Sequence, residues 1–337
     1  MEKKVSIITP CLNGEKFAQR YLESVLNQTY KNIELIFIND GSTDKTEAVV
    51  KSYISKFQQN GMNLTYIFQE NAGQAAALNV GLKLFTGEYL TWPDSDDFLS
   101  IDSIEKKVNF LEKNKQYGLV RTDAYIFNEG DIIKPIGTIA GKNPNRFNEK
   151  IFEDLLSEDT YCWNGCYMLR TNAFLDVNPK GEIYASTAGQ NFQMLLPIAY
   201  KYKCGYIDES LYNYVVRNDS HSHSDENINL QTSLIKNSNH ENILLNVINS
   251  MEVDKAFYSE IITAKYARRK MALALTYKNK EILVQQYEVL RKMGVLNMKD
   301  KITYARGLYF IFNLFYRISS KIIRIVRNVS KQLPWRY

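Results

Sequence analysis

The chain has 337 residues, 45% of them hydrophobic, with 23 tyrosines and 16 phenylalanines. Such a composition excludes a disordered polypeptide and supports a sizeable core in one enlarged domain or two smaller ones. The formal net charge of +5 conceals a split: 18 Lys and Arg against 4 Asp and Glu from residue 255 onward, and 24 against 33 before it, which points to a basic C-terminal region with an anionic partner.

Met1-Glu2-Lys3-Lys4 leads straight into a strand-like run, so no secretory signal is expected. No run of about twenty uninterrupted apolar residues occurs, so neither is a spanning helix. Residues 5–9 read as a strand and 17–28 as a helix with Tyr21, Leu22, Val25 and Leu26 on one face. Residues 34–39 read as a second strand and 44–58 as a helix capped near Ser42 or Thr43. A third strand at 64–69, an alanine-rich helix at 74–86 and a fourth strand at 88–92 continue the alternation. The rhythm argues for a mainly parallel sheet covered by helices, in which ligands bind at the carboxyl ends of strands.

Two acidic clusters fall at those ends, Asn39-Asp40-Gly41-Ser42 and Asp94-Ser95-Asp96-Asp97. Carboxylates this close repel one another unless a cation or a hydrogen-bonding ligand sits among them. Hard ions such as Mg²⁺ and Mn²⁺ take carboxylate oxygens and share substrate phosphates. A metal-assisted nucleotide-diphosphate site is therefore expected. The plainer alternatives are a turn at Asp40-Gly41 and a solvated helix cap at 94–97.

Further along, 101–113 reads as a helix capped by Ser100 or Asp102, 119–215 as short strands and loops, 226–300 as mostly helical, and 304–329 as a last helix. In that helix Ile311, Leu314, Ile318, Ile322, Ile325 and Val329 form one stripe beside Arg317, Lys321, Arg324 and Lys331. A basic amphipathic helix suits an anionic membrane surface, so contact through 305–331 is expected. Packing on the domain or on a partner subunit of a homo-oligomer is the equal alternative. No nucleic-acid motif appears, and the N-terminal part is acidic, so no nucleic acid partner is expected. The cysteines, Cys11, Cys162, Cys166 and Cys204, lack zinc spacing and read as free thiols of a reducing cytoplasm.

Val5-Ser6-Ile7-Ile8-Thr9-Pro10-Cys11-Leu12-Asn13, Ser24-Val25-Leu26-Asn27-Gln28-Thr29-Tyr30, Asn39-Asp40-Gly41-Ser42-Thr43-Asp44 and Asp94-Ser95-Asp96-Asp97 occur in that order. Together they resemble family 2 glycosyltransferases of the GT-A fold, over roughly residues 1–225. The resemblance implies an α/β GT-A domain at 1–225, its donor half about 1–115 and its acceptor half about 116–225, followed by a helical region at 226–337. It implies transfer of a hexosyl group, with inversion, from a UDP-type nucleotide-sugar donor to a glycan or lipid-diphosphate-linked acceptor in cell-surface polysaccharide synthesis. Such an enzyme would be cytoplasmic and peripheral at the inner face of the plasma membrane. Carried over by position, Thr9, Pro10 and Asn13 lie beside the nucleotide, and Asp40 accepts a hydrogen bond from the base. Asp94, Ser95 and Asp96 match the DxD motif for ribose and metal–diphosphate, and Asp97 shares the metal, Mn²⁺ or Mg²⁺. Asn71 and Asn79 are offered as donor contacts, with a helix cap and an interior asparagine as equal alternatives. Many members carry arginine where Leu78 stands, so that phosphate contact is not expected. In the loop after the closing segment, Arg217, His221 and His223 are candidates for the diphosphate or the metal. Trp163, with Gln190 and Asn191, falls in the acceptor half, where a half-buried core tryptophan is the plainer reading.

Inversion needs a base for the acceptor hydroxyl. Family members usually carry it in a Glu-Asp pair, but the matching positions are Gln190 and Asn191, and an amide takes no proton near neutral pH. Glu182, Asp225 and His221 are the remaining candidates. A non-catalytic or weakly active sugar-nucleotide-binding protein is the first alternative. A nucleotidyltransferase is the second, though Pro10–Lys16 supplies one glycine and one lysine for the phosphate loop it would need.

Overall fold

A computed structural model describes residues 2–141, 143–185, 189–217, 229–309 and 312. The chain divides into two compact units, one of Met1–Asp225 with Ile243–Glu252, the other of Glu226–Asn242 with Val253–Tyr337.

The first unit begins with β1 (Val5–Cys11), α1 (Ala18–Leu26), β2 (Ile33–Asp40), α2 (Thr46–Lys51), α3 (Ile54–Gln59), β3 (Asn63–Gln69), α4 (Gln74–Leu82) and β4 (Tyr89–Thr91). Every residue of β1 and β2 is buried, as expected of strands covered on both faces, and this is why they read as unbroken apolar runs. Helix α1 turns Ala18, Tyr21, Leu22 and Val25 inward at spacings of three and four. The expected single helix at 44–58 is two short ones. Its cap is not Ser42 or Thr43: Asp44 Oδ1 accepts from Thr46 N at 2.9 Å, while Ser42 Oγ accepts from Asn13 N at 2.8 Å. Helix α4 stops at Leu82, short of the expected 86, where Thr86 N and Gly87 N donate to the buried Glu34 carboxylate at 2.6 and 3.1 Å.

The unit continues with β5 (Phe98–Leu99), α5 (Ser103–Lys113), β6 (Tyr117–Asn128), β7 (Gly137–Thr138), α6 (Phe152–Ser157), β8 (Tyr167–Arg170), α7 (Thr171–Val177), α8 (Gln190–Lys201) and β9 (Lys203–Val216). Asp102 stands at the N-cap of α5 but makes no side-chain cap bond; it pairs with Lys106 instead. The strand order is β3-β2-β1-β4-β8-β6-β9-β5, with β7 on β6. The first four strands are parallel, as the alternation implies. Beyond β4 the sheet is mixed: β8 runs antiparallel to β4 and β6, β6 and β9 pair in parallel, and β5 runs against β9. Over 119–215, expected as short strands and loops, the helices α6, α7 and α8 and the short β7 and β8 stand beside two long strands, β6 and β9. Their length brings the end of β9 to the carboxyl end of β4.

In the second unit α10 (Lys255–Thr276), α11 (Lys280–Lys292) and α12 (Met298–Leu308) follow α9 (Leu230–Ser250), whose last turns belong to the first unit. Ala264, Ala267, Met271, Ala274, Leu283 and Leu290 make the core of this bundle. Asn297 and Asp300 form a capping box at the start of α12, and Asp300 also receives Arg268 Nε at 3.0 Å. The basic stripe of Arg317, Lys321, Arg324 and Lys331 and the apolar stripe from Ile311 to Val329 lie outside the described residues. No helix among those described is long and apolar enough to cross a membrane.

Candidate active site

Parallel strands β1, β2 and β4 end on one side of the sheet, and the loops leaving them converge. Asn13, at a left-handed φ of 52°, ties the first two loops together: its Oδ1 accepts from Thr43 N at 3.0 Å. The β2 loop passes so close to residue 71 that a Cβ on Gly41 (φ +78°) would lie 2.6 Å from Asn71 N, so only glycine fits there.

Asp40, 4% exposed, is the anchor of this crossing. Its Oδ1 accepts from Gln69 Nε2 at 2.6 Å and Ala72 N at 2.9 Å, and its Oδ2 accepts from Gly73 N at 3.0 Å. The turn reading of Asp40 therefore understates it, because the carboxylate fixes the loop that opens α4. Asn71 is exposed on that loop and has no side-chain hydrogen bond among the described residues. Two other expected donor contacts are engaged elsewhere. The Thr9 hydroxyl is buried against the Tyr21 hydroxyl, beside a buried Pro10. Asn79 grips the backbone of Ile183 with both amide atoms, Nδ2 to O and Oδ1 from N, each at 2.7 Å, which is the interior reading.

After β4, the Asp94, Asp96 and Asp97 carboxylates bring one oxygen each within 4.8 Å of one another. Each is held differently. Asp94 Oδ1 accepts from Gln74 Nε2 at 2.7 Å and Asn164 Nδ2 at 2.9 Å. Asp96 Oδ2 faces Arg217 Nε at 3.3 Å. Asp97, 1% exposed, has both oxygens occupied, Oδ2 by the Tyr212 hydroxyl at 2.6 Å and Oδ1 by Val215 N at 2.8 Å. Ser95 is buried between them. Burial, and next the Asp96 charge, pushes the Asp94 carboxyl up to about 7, against the pull of Asn164 and Gln74. Burial, and next the Asp96 and Asp94 charges, raise Asp97 well above the carboxylate range. The cluster therefore calls for positive charge. Two arginines supply part of it: Arg217, which also lies over the Phe17 ring at 4.5 Å, and Arg20 of α1. Arg20 donates to the Asp96 carbonyl, lies over the Phe98 ring at 5.4 Å, and keeps its Nε buried without a hydrogen-bond partner.

The donor set fits a hard divalent cation, since carboxylate oxygens about 2.0–2.6 Å from one ion lie up to about 5 Å apart. Asp94 and Asp96 have oxygens free of neutral hydrogen bonds and suit direct ligation. Asp97, expected to share the metal, offers an oxygen to the same group while both of its oxygens are hydrogen-bonded within the protein. His221, His223 and the candidate base Asp225 lie outside the described residues.

Gln190 opens α8 at 9% exposure, and Asn191 Oδ1 accepts from the Trp92 indole Nε1 at 2.9 Å. Gln193, one turn on, grips the backbone of Tyr184 with both amide atoms, at 2.7 and 3.0 Å. Glu182 is exposed and its carboxylate has no partner among the described residues. Trp163 is half-buried and stacks on Tyr214, with ring centroids 4.8 Å apart and planes 15° apart. The partners Gln69, Gln74, Asn164 and Tyr212 carry no signal in the sequence, being neutral residues brought in over long separations. Arg20 offered one faint signal, a cation adjoining the buried face of α1. All four cysteines are free thiols, and burial pushes Cys11 up to about 12.

The family model "Glycosyl transferase family 2" matches residues 6–177. GlyA of Streptococcus pneumoniae serotype 4 is 31% identical over 234 residues, which are 65% of this chain and 32% of that protein. An uncharacterized glycosyltransferase of Haemophilus influenzae is 40% identical over 134 residues, 40% of this chain and 52% of that one. The minor teichoic acid biosynthesis protein GgaB of Bacillus subtilis is 31% identical over 228 residues, 64% of this chain and 23% of that one. The chain thus spans between 23% and 52% of the length of these relatives. Among solved structures, S. aureus TarS 1-349 in complex with UDP-GlcNAc superimposes with a TM-score of 0.58 at 17% identity, covering 90% of both chains. The mannosyltransferase PcManGT from Pyrobaculum calidifontis, in complex with GDP-Man and Mn²⁺, gives 0.56 at 14% identity over 99% of this chain and 89% of that one. These likenesses identify the fold as GT-A. With the family model covering half of its length and the acidic cluster at the end of β4, the chain belongs to glycosyltransferase family 2.

Proposed function

We propose that the enzyme transfers a sugar, with inversion, from a UDP-linked donor held with a divalent cation at Asp94 and Asp96 to a growing cell-surface glycan. The observation that carries this reading is the three-carboxylate cluster, half-buried and flanked by Arg217 and Arg20. GgaB is named for teichoic acid biosynthesis, TarS was solved with UDP-GlcNAc, and PcManGT was solved with Mn²⁺; each supports the reading by likeness. In the proposed complex the cation, Mn²⁺ or Mg²⁺, neutralises charge on the departing diphosphate. Arg217, freed from Asp96, turns to the phosphates. Asp40 keeps the 69–73 loop in place against the nucleotide, with Asn71 as the free contact on that loop.

Asn191 is tied to Trp92, so the proton acceptor is proposed among the residues after Arg217, where His221 and Asp225 stand in the sequence. Contact of the C-terminal basic segment with an anionic membrane, which would bring the enzyme to a lipid-diphosphate-linked acceptor at the inner face, belongs to the same proposal. It rests on the six Lys and Arg and no Asp or Glu in residues 310–337.

The test is release of UDP from a panel of UDP-sugars with Mn²⁺ or Mg²⁺, in the wild type and in His221→Ala and Asp225→Asn. Metal-dependent release with at least one donor, reduced about 100-fold or more in one variant, is expected of a missing general base. Release with no UDP-sugar, alongside release from a GDP-sugar, would overturn the donor assignment.

A further inference from the structure

Trp163 and Tyr214 are two large aromatic rings that stay half-exposed beside a charged site, in a protein that buries Trp92, Tyr89, Tyr167 and Tyr212 almost completely. Their position is fixed by the residues that hold the carboxylates. Trp163 immediately precedes Asn164, whose amide lies 2.9 Å from Asp94 Oδ1 and 2.6 Å from the Trp92 carbonyl. Tyr214 is two residues beyond Tyr212 on β9, so both project from the same face of the strand, about 7 Å apart. Tyr212 is the residue that holds Asp97. The two rings thus flank the cluster from the turn before β8 and from β9.

The stack is rigid by construction. A Cβ at Gly165 would meet the Tyr212 ring at 2.0 Å, so the 164–166 turn and β9 are pressed together. Lys107 Nζ donates to the Gly165 carbonyl at 2.8 Å from behind. The polar edges of the stack are unused: neither the Trp163 indole N–H nor the Tyr214 hydroxyl has a hydrogen-bond partner among the described residues. An aromatic face with a free donor at its rim matches what a sugar ring presents, an axial C–H face bordered by hydroxyls. A stack serving only the core would bury its faces and satisfy the indole, as Trp92 does with Asn191.

We propose that Trp163 and Tyr214 form a stacking shelf for a pyranose ring next to the carboxylate cluster. The inference rests on the glycosyltransferase reading of the site and adds the surface that selects a sugar there. The ring can come from the donor or from the acceptor, and the chemistry of the shelf is the same for both.

The experiment uses the full chain and isothermal titration with UDP, UDP-GlcNAc and UDP-glucose in Mg²⁺, and with the methyl glycosides of the same sugars. Wild type, Trp163→Ala, Tyr214→Ala, and the conservative Trp163→Phe and Tyr214→Phe are compared. A donor-sugar shelf makes both alanine variants lose at least fivefold in UDP-sugar affinity while UDP affinity stays within twofold. An acceptor-sugar shelf makes them lose at least fivefold for a methyl glycoside instead. In either case the phenylalanine variants retain most of the affinity, and wild-type tryptophan emission changes with the sugar beyond any change with UDP alone. The shelf is ruled out if the alanine variants bind UDP-sugars and methyl glycosides as the wild type does, or if no sugar binds beyond its UDP moiety. Failure of UDP itself to bind would instead count against the donor reading.

Discussion

Asn191 Oδ1 accepts the indole N–H of Trp92 at 2.9 Å, joining the first turn of α8 to the end of β4 two residues before Asp94. The position where family members usually carry an acid is thus occupied by an amide that serves a buried tryptophan. Asn191→Asp keeps an acceptor for Trp92 and restores a carboxylate. It adds negative charge beside Asp94, Asp96 and Asp97, so kcat is expected to stay level or fall. A rise of tenfold or more in UDP-sugar turnover would mean that the amide had merely disarmed an ordinary site. Asn191→Ala leaves the Trp92 N–H unpaired and should cost about 1–3 kcal/mol in chemical denaturation.

Asp40 accepts three hydrogen bonds from Gln69, Ala72 and Gly73. In Asp40→Asn one oxygen becomes an NH₂ that opposes a backbone N–H whichever way the amide turns. Thermal stability should fall by about 1–3 kcal/mol even without nucleotide, and nucleotide affinity should fall with it. Weakened nucleotide binding at unchanged apo stability would show that Asp40 acts on the ligand alone.

Arg20 supports the acidic loop through the Asp96 carbonyl and Phe98. Arg20→Met removes both the donor and the charge while keeping the stem. The Mn²⁺ concentration for half-maximal activity should then rise several-fold. Arg20→Lys, which keeps the charge but not the planar fork, should recover part of the loss. An unchanged Mn²⁺ dependence in Arg20→Met would leave Arg20 a packing residue.

These cases mark what the chain alone discloses. The buried parallel strands are legible because burial on both faces leaves unbroken apolar runs, and Asp40 and Asp94–Asp97 stand out because carboxylates at strand ends are conspicuous. The partners of those carboxylates are not legible. Gln69, Gln74, Asn164 and Tyr212 are neutral residues common in any surface or core, and only folding brings Asn164 and Tyr212 to Asp94 and Asp97 across 70 and 115 positions. The mixed half of the sheet was hidden for a related reason: β6 and β9 alternate buried and exposed segments unevenly, so their 12 and 14 residues read as fragments.

Lys107 is fully buried, with the Gly165 carbonyl as its hydrogen-bond acceptor, and burial lowers its ammonium to about 8 from the ordinary 10.5. A folded-state value below the unfolded one penalises folding at low pH; the penalty is complete below pH 8 and fades as pH rises towards 10.5. Measured against Lys107→Met, the wild type should therefore gain stability over that window, on the order of 3 kcal/mol. The comparison cancels the titration of the buried cysteines and tyrosines common to both proteins other than Cys166, whose thiol feels the Lys107 charge. A stability difference that stays flat from pH 7 to 10.5 would mean that Lys107 is not held in an apolar environment.

The most direct test of the metal-assisted donor site is calorimetric titration of UDP-GlcNAc into the wild type and Asp96→Asn, each with and without Mn²⁺. The expected result is a gain of tenfold or more in wild-type affinity on adding Mn²⁺, about 1.4 kcal/mol, and loss of that gain in Asp96→Asn. Equal affinity with and without the ion in the wild type, matched by Asp96→Asn, would contradict it.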